Sequence, residues 1–141
     1  MKGWKNNMET LVVIVSVAIA GVVLLALLNL IGRNQPGLDR AYYMDAWQKI
    51  HIKSQAEETW ALAVIDADKL LDHALRKKNF GGQTMAERMV SAKDVFSRRQ
   101  LVWESHKFRN QIVHEEVKVS EKKTHAALAG FRSALRDLGA L

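Results

Sequence analysis

At 141 residues, with 21 basic and 15 acidic side chains and a net charge of +6, the chain has room for one soluble domain of ordinary size. It has no cysteine, which excludes disulfides, cysteine-ligated zinc and a thiol nucleophile. The mild basic excess suits an anionic partner such as RNA or an acidic lipid surface.

Residues 1–10 form a short flank carrying Lys2 and Lys5. From Leu11 to Ile31 no side chain is charged, and only Ser16 and Asn29 are clearly polar. At about 1.5 Å of rise per residue, roughly 20 apolar residues match a hydrocarbon layer about 30 Å thick, so residues 11–31 are expected to form a transmembrane helix. A cleaved signal peptide fits less well. The run exceeds the about 7 to 15 residues of a signal core, and Gly32-Arg33-Asn34-Gln35-Pro36 offers no small-x-small cleavage site. Positive charge is slightly greater behind the span, at Arg33, Arg40 and Lys49, than before it. This balance expects a single-pass protein of the cell membrane with its C-terminal domain in the cytoplasm.

Residues 32–39 hold the only proline and two glycines and read as a linker. The remainder, 40–141, is helical in pattern. Tyr43, Ala46, Trp47 and Ile50 space out one amphipathic helix. Trp60, Ala63, Val64, Ala67, Leu70, Leu71 and Ala74 give a second, which Gly81-Gly82 is expected to stop. Thr84 stands three residues before Glu87, a capping-box spacing, ahead of a helix expected to carry Met85, Met89, Ala92 and Phe96. A fourth helix passes through Leu101, Ser105, Phe108 and Ile112 and ends near His114. The small side chain of Ser105 leaves a gap where another helix can approach. Ser120 caps a last helix with Leu128, Phe131, Leu135 and Leu138 on one face and Gly139 as terminator. The expected fold class is therefore all-α: a transmembrane helix followed by an antiparallel bundle of four to five helices.

The chemistry concentrates between Phe108 and Glu115, F-R-N-Q-I-V-H-E. Cutting RNA without a metal requires a group that moves protons near neutral pH and a cation that stabilises charge on the phosphate. Histidine and arginine supply these, here His114 and Arg109, with Asn110 able to position a phosphate oxygen. Asn110 and His114 are four apart and share a helix face, whereas Arg109 and His114 point roughly 140° apart. A straight helix does not aim both at one phosphate, so the helix must bend or two copies must combine.

This string resembles the R-N-x-x-x-H signature of the HEPN superfamily, small α-helical domains that include many metal-independent endoribonucleases. The resemblance implies a homodimer whose cleft draws on both copies, RNA as substrate, no cofactor and no metal, with Arg109, Asn110 and His114 as catalytic residues. It equally allows a catalytically silent member that acts as an interaction module at the membrane. The amino-terminal anchor is not part of the superfamily pattern.

Outside that string, Arg98, Arg99 and Lys107 are candidate contacts to RNA phosphates. Arg76-Lys77-Lys78 serves equally well to complement a helix C-terminus. His106, Asn110 and His114 recur every four residues, yet no H-E-x-x-H or comparable pair is present, so His106 is expected to pack or hydrogen-bond within the bundle rather than hold a metal. Asp66, Asp68 and Asp72 read first as a solvated face, with Asp66 the candidate to reach Arg109. Trp47, Trp60 and Trp103 are expected to anchor the core.

Overall fold

The computed structural model describes the backbone of residues 2–33 and 37–141 and the side chains of 9–27 and 37–141. All regular structure among these residues is helical. The chain divides into two compact units, Met1–Gln35 and Pro36–Leu141.

The first unit is one helix, α1 (Lys2–Arg33). Its stretch Glu9–Leu27 has a mean hydropathy of 2.9 and is long and apolar enough to cross a membrane. Valine, isoleucine and leucine fill that stretch on every side, and they are exposed. Helix α1 starts earlier and ends later than the apolar run, taking in the expected 1–10 flank from Lys2 onward and reaching Arg33. The expected linker 32–39 thus begins inside the helix; its positions 34–36, Pro36 included, lie outside the described residues.

In the second unit, Asp39 opens α2 (Arg40–Lys53) by accepting a hydrogen bond from the Tyr42 amide at 3.2 Å. Helix α2 buries only Tyr43 and Ile50 fully. A 3-10 turn, Glu57–Thr59, leads into α3 (Trp60–Lys77), whose unbroken stripe from Ala63 to Leu75 is the centre of the core. The end of α3 differs from the sequence expectation. Asn79, at φ 59°, takes the left-handed position, and Phe80 N–H reaches back to the Leu75 carbonyl at 3.0 Å. Gly81-Gly82 follows the reversal instead of making it. Asparagine is the side chain other than glycine that best tolerates this conformation at a helix end.

The Thr84–Glu87 capping box forms as expected and starts α4 (Met85–Ser91). This helix is shorter than its apolar spacing implied. Ala92 caps it, and Phe96 lies beyond it, yet still in the core. Asp137 accepts hydrogen bonds from the Ser97 amide at 2.8 Å and hydroxyl at 2.9 Å, so the chain leaves the helical path to meet the end of the last helix.

Helices α5 (Arg99–His114) and α6 (Glu121–Asp137) run antiparallel, since Ser97 meets Asp137 at one end and Lys123 lies over the Phe108 ring toward the other. Midway, Gly130 sits against Ser105: a Cβ on Gly130 would press into the Ser105 hydroxyl and stand 2.7 Å from the Leu101 carbonyl oxygen. The gap foreseen at Ser105 is thus filled by backbone. Ser120 caps α6, and Gly139, at φ 75°, ends it, with Ala140 N–H bonded to the Leu135 carbonyl at 2.8 Å. Leu71, Leu75, Phe131 and Leu135, all at 0% exposure, lock α3 to α6. Each such side chain contributes about 1.5 to 3 kcal/mol by leaving water.

Candidate functional site

Helix α3 turns one face to the core and sets Asp68 and Asp72, one turn apart, at the edge of that face. Asp68 is 3% exposed and is met by two side chains of α5, His106 and Arg109. His106 Nδ1 lies 2.7 Å from Asp68 Oδ1, and Arg109 Nε lies 3.2 Å from Asp68 Oδ2 as an ion pair. Arg109 Nη1 donates to Asn110 Oδ1 at 2.9 Å, and Asn110 Nδ2 stands 3.2 Å from His106 Nε2.

These contacts determine where the protons are. A guanidinium only donates, so the Asn110 oxygen must face Arg109 and its NH2 must face His106. His106 Nε2 is then the acceptor, and Nδ1 carries the hydrogen given to Asp68. Asp68, His106, Asn110 and Arg109 thus form a chain of donors and acceptors that the Arg109 ion pair closes back onto Asp68. The Arg109 Nε hydrogen is poorly aligned on its partner and makes no hydrogen bond despite burial. The guanidinium is held there by charge and by its Nη1 contact.

Asp72 is the second anchor. Arg88 Nε and Nη2 both approach its Oδ1 at 2.7 Å, Arg76 Nη2 approaches its Oδ2 at 2.8 Å, and Arg88 Nη1 donates to the Gly82 carbonyl at 2.7 Å. Arg88, only 5% exposed, ties α4 and the glycine turn to α3. Between these pairs opens a groove of about 510 Å³ lined by Arg109, Asn110, His106, Arg88, Arg76 and Lys69 among others. Its cations outnumber its two carboxylates, so it attracts anions.

The structure brings Arg109 and Asn110 together and leaves His114 apart. His114 occupies the exposed last position of α5 and does not line the groove. Arg98, Arg99 and Lys107 are exposed, none of them lines the Arg109 groove, and Arg98 lines a different one on α2 and α6. Asp66, the expected partner of Arg109, pairs with Lys53 at 2.5 Å; Asp68, two residues on, takes Arg109. Two residues turn a helix by roughly 200°, which separates the outward acid from the inward one. His106 does hydrogen-bond within the bundle. Its acid partner is 38 residues away in the chain, beyond the reach of any local spacing.

Tyr43 and His73 form a smaller polar pair, with the phenol oxygen 2.9 Å from His73 Nδ1. Burial pushes the Tyr43 hydroxyl up to about 12, with Tyr42 adding to the effect. Among the described residues no group of three or more histidine, aspartate or glutamate side chains is placed to hold a metal. Comparison with protein-family models, with curated proteins and with solved structures gives no match.

Proposed function

We propose that the chain is a single-pass protein of the bacterial cell membrane whose cytoplasmic unit is a HEPN-like bundle that cuts RNA as a homodimer. The observation that carries this reading is the setting of Arg109. Asp68 and Asn110 hold its guanidinium at the wall of an open, cationic groove, and Nη2 has no partner among the described residues. A pre-positioned arginine with a donor to spare is what a scissile phosphate requires.

His114 completes the chemistry from a second copy, since its own helix turns it away from Arg109. It accepts the proton of the ribose 2′-hydroxyl as the 2′-oxygen attacks phosphorus. The bond from phosphorus to the 5′-oxygen breaks, and the proton passes to that oxygen. The products are a 2′,3′-cyclic phosphate and a 5′-hydroxyl, and no metal or cofactor takes part. The α1 helix holds this activity at the membrane.

A second reading rests on the same contacts. Arg109 already engages a buried acid, and such an arginine can be a structural cross-brace in a silent interaction module. The full chain in neutral detergent, incubated with a panel of single-stranded and structured RNAs in EDTA, separates the two. Cleavage is expected, and His114→Ala should reduce it by about a hundredfold or more without altering thermal unfolding, because His114 is exposed and outside the buried circuit. An uncut panel leaves the interaction module as the function.

A further inference from the structure

A second group of cations in the C-terminal unit lies away from Arg109, and its members have no ion-pair partners among the described residues. Arg98 precedes α5, and Arg132 and Arg136 follow one another by a turn on α6; all three line a groove of about 570 Å³. They are exposed, and none has an ion-pair partner among the described residues. The contrast with Arg76, Arg88 and Arg109 is complete, since each of those is matched to an aspartate.

One carboxylate does line the groove, and it is occupied. Asp137 gives both oxygens to Ser97, at distances of 2.8 to 3.0 Å from the amide and the hydroxyl. It fixes the backbone that carries Arg98 and leaves the guanidinium groups unpaired. His51 and His125 lie along the same groove, with His125 3.7 Å from Glu121. The indole of Trp47 forms part of the wall and also lines an adjoining cavity of about 480 Å³, shared with His51 and Arg132. Like charges one turn apart on a helix repel each other, and an anion between them removes that repulsion. Planar guanidinium forks from two segments, with the Ser133 hydroxyl beside them, match the tetrahedral oxygens of a phosphate.

We infer that this groove binds a phosphate anion through Arg98, Arg132 and Arg136, at a site separate from the Arg109 groove. The phosphate comes from one of two sources, an acidic phospholipid headgroup of the membrane or a soluble phosphorylated molecule. The site does not depend on the RNA reading, because it shares no residue with the groove of Arg109.

The full chain in neutral detergent, titrated calorimetrically with inorganic pyrophosphate, tests the site. Saturable binding is expected, and Arg132→Gln with Arg136→Gln should weaken it by about a hundredfold, roughly tenfold for each charge-assisted contact removed. Lys118→Gln with Lys122→Gln removes two exposed charges outside the groove and should leave affinity unchanged. An equal loss in that control overturns the site in favour of bulk charge, and a wild type that binds no pyrophosphate overturns it outright. Nanodiscs assign the source. At about 0.15 M salt, where screening acts within about 8 Å, phosphatidylglycerol in the disc should abolish pyrophosphate binding if headgroups fill the groove. Unchanged binding there, relative to phosphatidylcholine alone, assigns the soluble source. RNA binding lost in the double variant, with pyrophosphate inert, would replace the proposal with an RNA surface.

Discussion

The two grooves of the C-terminal unit use the same side chain to opposite ends. Around Asp68 and Asp72 the arginines are matched to carboxylates, with Arg88 buried, Arg109 half-buried and Arg76 exposed, so the pairs of Arg88 and Arg109 go into holding α3, α4 and α5 together. Around Trp47, arginines are exposed and unmatched, so their charge remains available to something else. Arg109 stands between the two cases, paired through Nε and Nη1 with Nη2 left over; for the others, pairing rather than residue type or position on a helix separates an arginine that supports the fold from one that can meet a ligand.

Removing one partner in each groove should therefore give very different costs. Asp68→Ala strands the Arg109 guanidinium and takes the acceptor from His106 Nδ1. Leaving buried charge uncompensated costs about 3 to 5 kcal/mol, a large part of the stability of a domain this size. Thermal unfolding followed by circular dichroism should show it at once. In Arg132→Gln with Arg136→Gln the same measurement should move by no more than about 0.5 kcal/mol, with slight stabilisation the favoured sign because a like-charge pair is removed. Equal losses in the two variants would end the distinction.

An intermediate effect is expected from the contact that fixes how α5 lies on α6. Gly130→Ala adds one methyl where the Leu101 carbonyl oxygen stands 2.7 Å away. Backbone cannot rotate aside as a side chain can, so the helices must separate. The overpacking cost of about 1 to 3 kcal/mol outweighs the helix propensity gained from alanine, up to about 1 kcal/mol. Both grooves draw on α5 or α6, or on the segment leading into them, so a denaturant melt of this variant also reports how firmly they are held. A stabilised Gly130→Ala protein would mean that the two helices yield easily.

How much of this was legible beforehand depends on how far apart the interacting residues lie. The capping box at Thr84 and Glu87, the cap at Ser120, the terminator at Gly139 and the stripe of α3 each depend on residues within a few positions, and spacing alone revealed them. So did the gap at Ser105, although the residue that fills it, Gly130, could not be chosen from the pattern. The site was half legible. Arg109 and Asn110 stood out as a string, but their connection to Asp68 and His106 depends on how α3 lies against α5. Asp66 looked the better partner because it sits among apolar neighbours, whereas the direction of its side chain is set by the tertiary fold. The early end of α4 was hidden for a similar reason: Met85, Met89, Ala92 and Phe96 keep a helical rhythm, and only the bond from Ser97 to Asp137 shows why the helix stops. Of the arginine groove only Arg98 stood out, as a candidate phosphate contact; Arg132 and Arg136 lie more than thirty residues further on, and only the packing of the helices brings them to it.

The smallest expected effect concerns Glu87, which belongs to the paired region without being buried in it. Its carboxylate accepts from the Gln83 amide at 2.6 Å and from the Thr84 amide at 3.4 Å, and these bonds hold its pKa below the ordinary value of 4.5, with Arg88 assisting. A carboxyl whose pKa is lowered on folding binds its proton more weakly in the folded chain. Its contribution is therefore complete above the unfolded value, near 4.5, and is lost as pH falls through the lower folded value. Helix α4 begins at this box, and its Arg88 reaches Asp72, so acid should loosen α4 before it reaches the core. Amide exchange at Gln83 and Thr84 should rise as pH drops below about 4.5, beyond the intrinsic pH trend. Glu87→Gln should show that faster exchange already at neutral pH and lose the extra acid step. If the wild type and Glu87→Gln follow the same curve across this range, the box does not secure α4, and the cohesion of that edge rests on Arg88 and Asp72 alone.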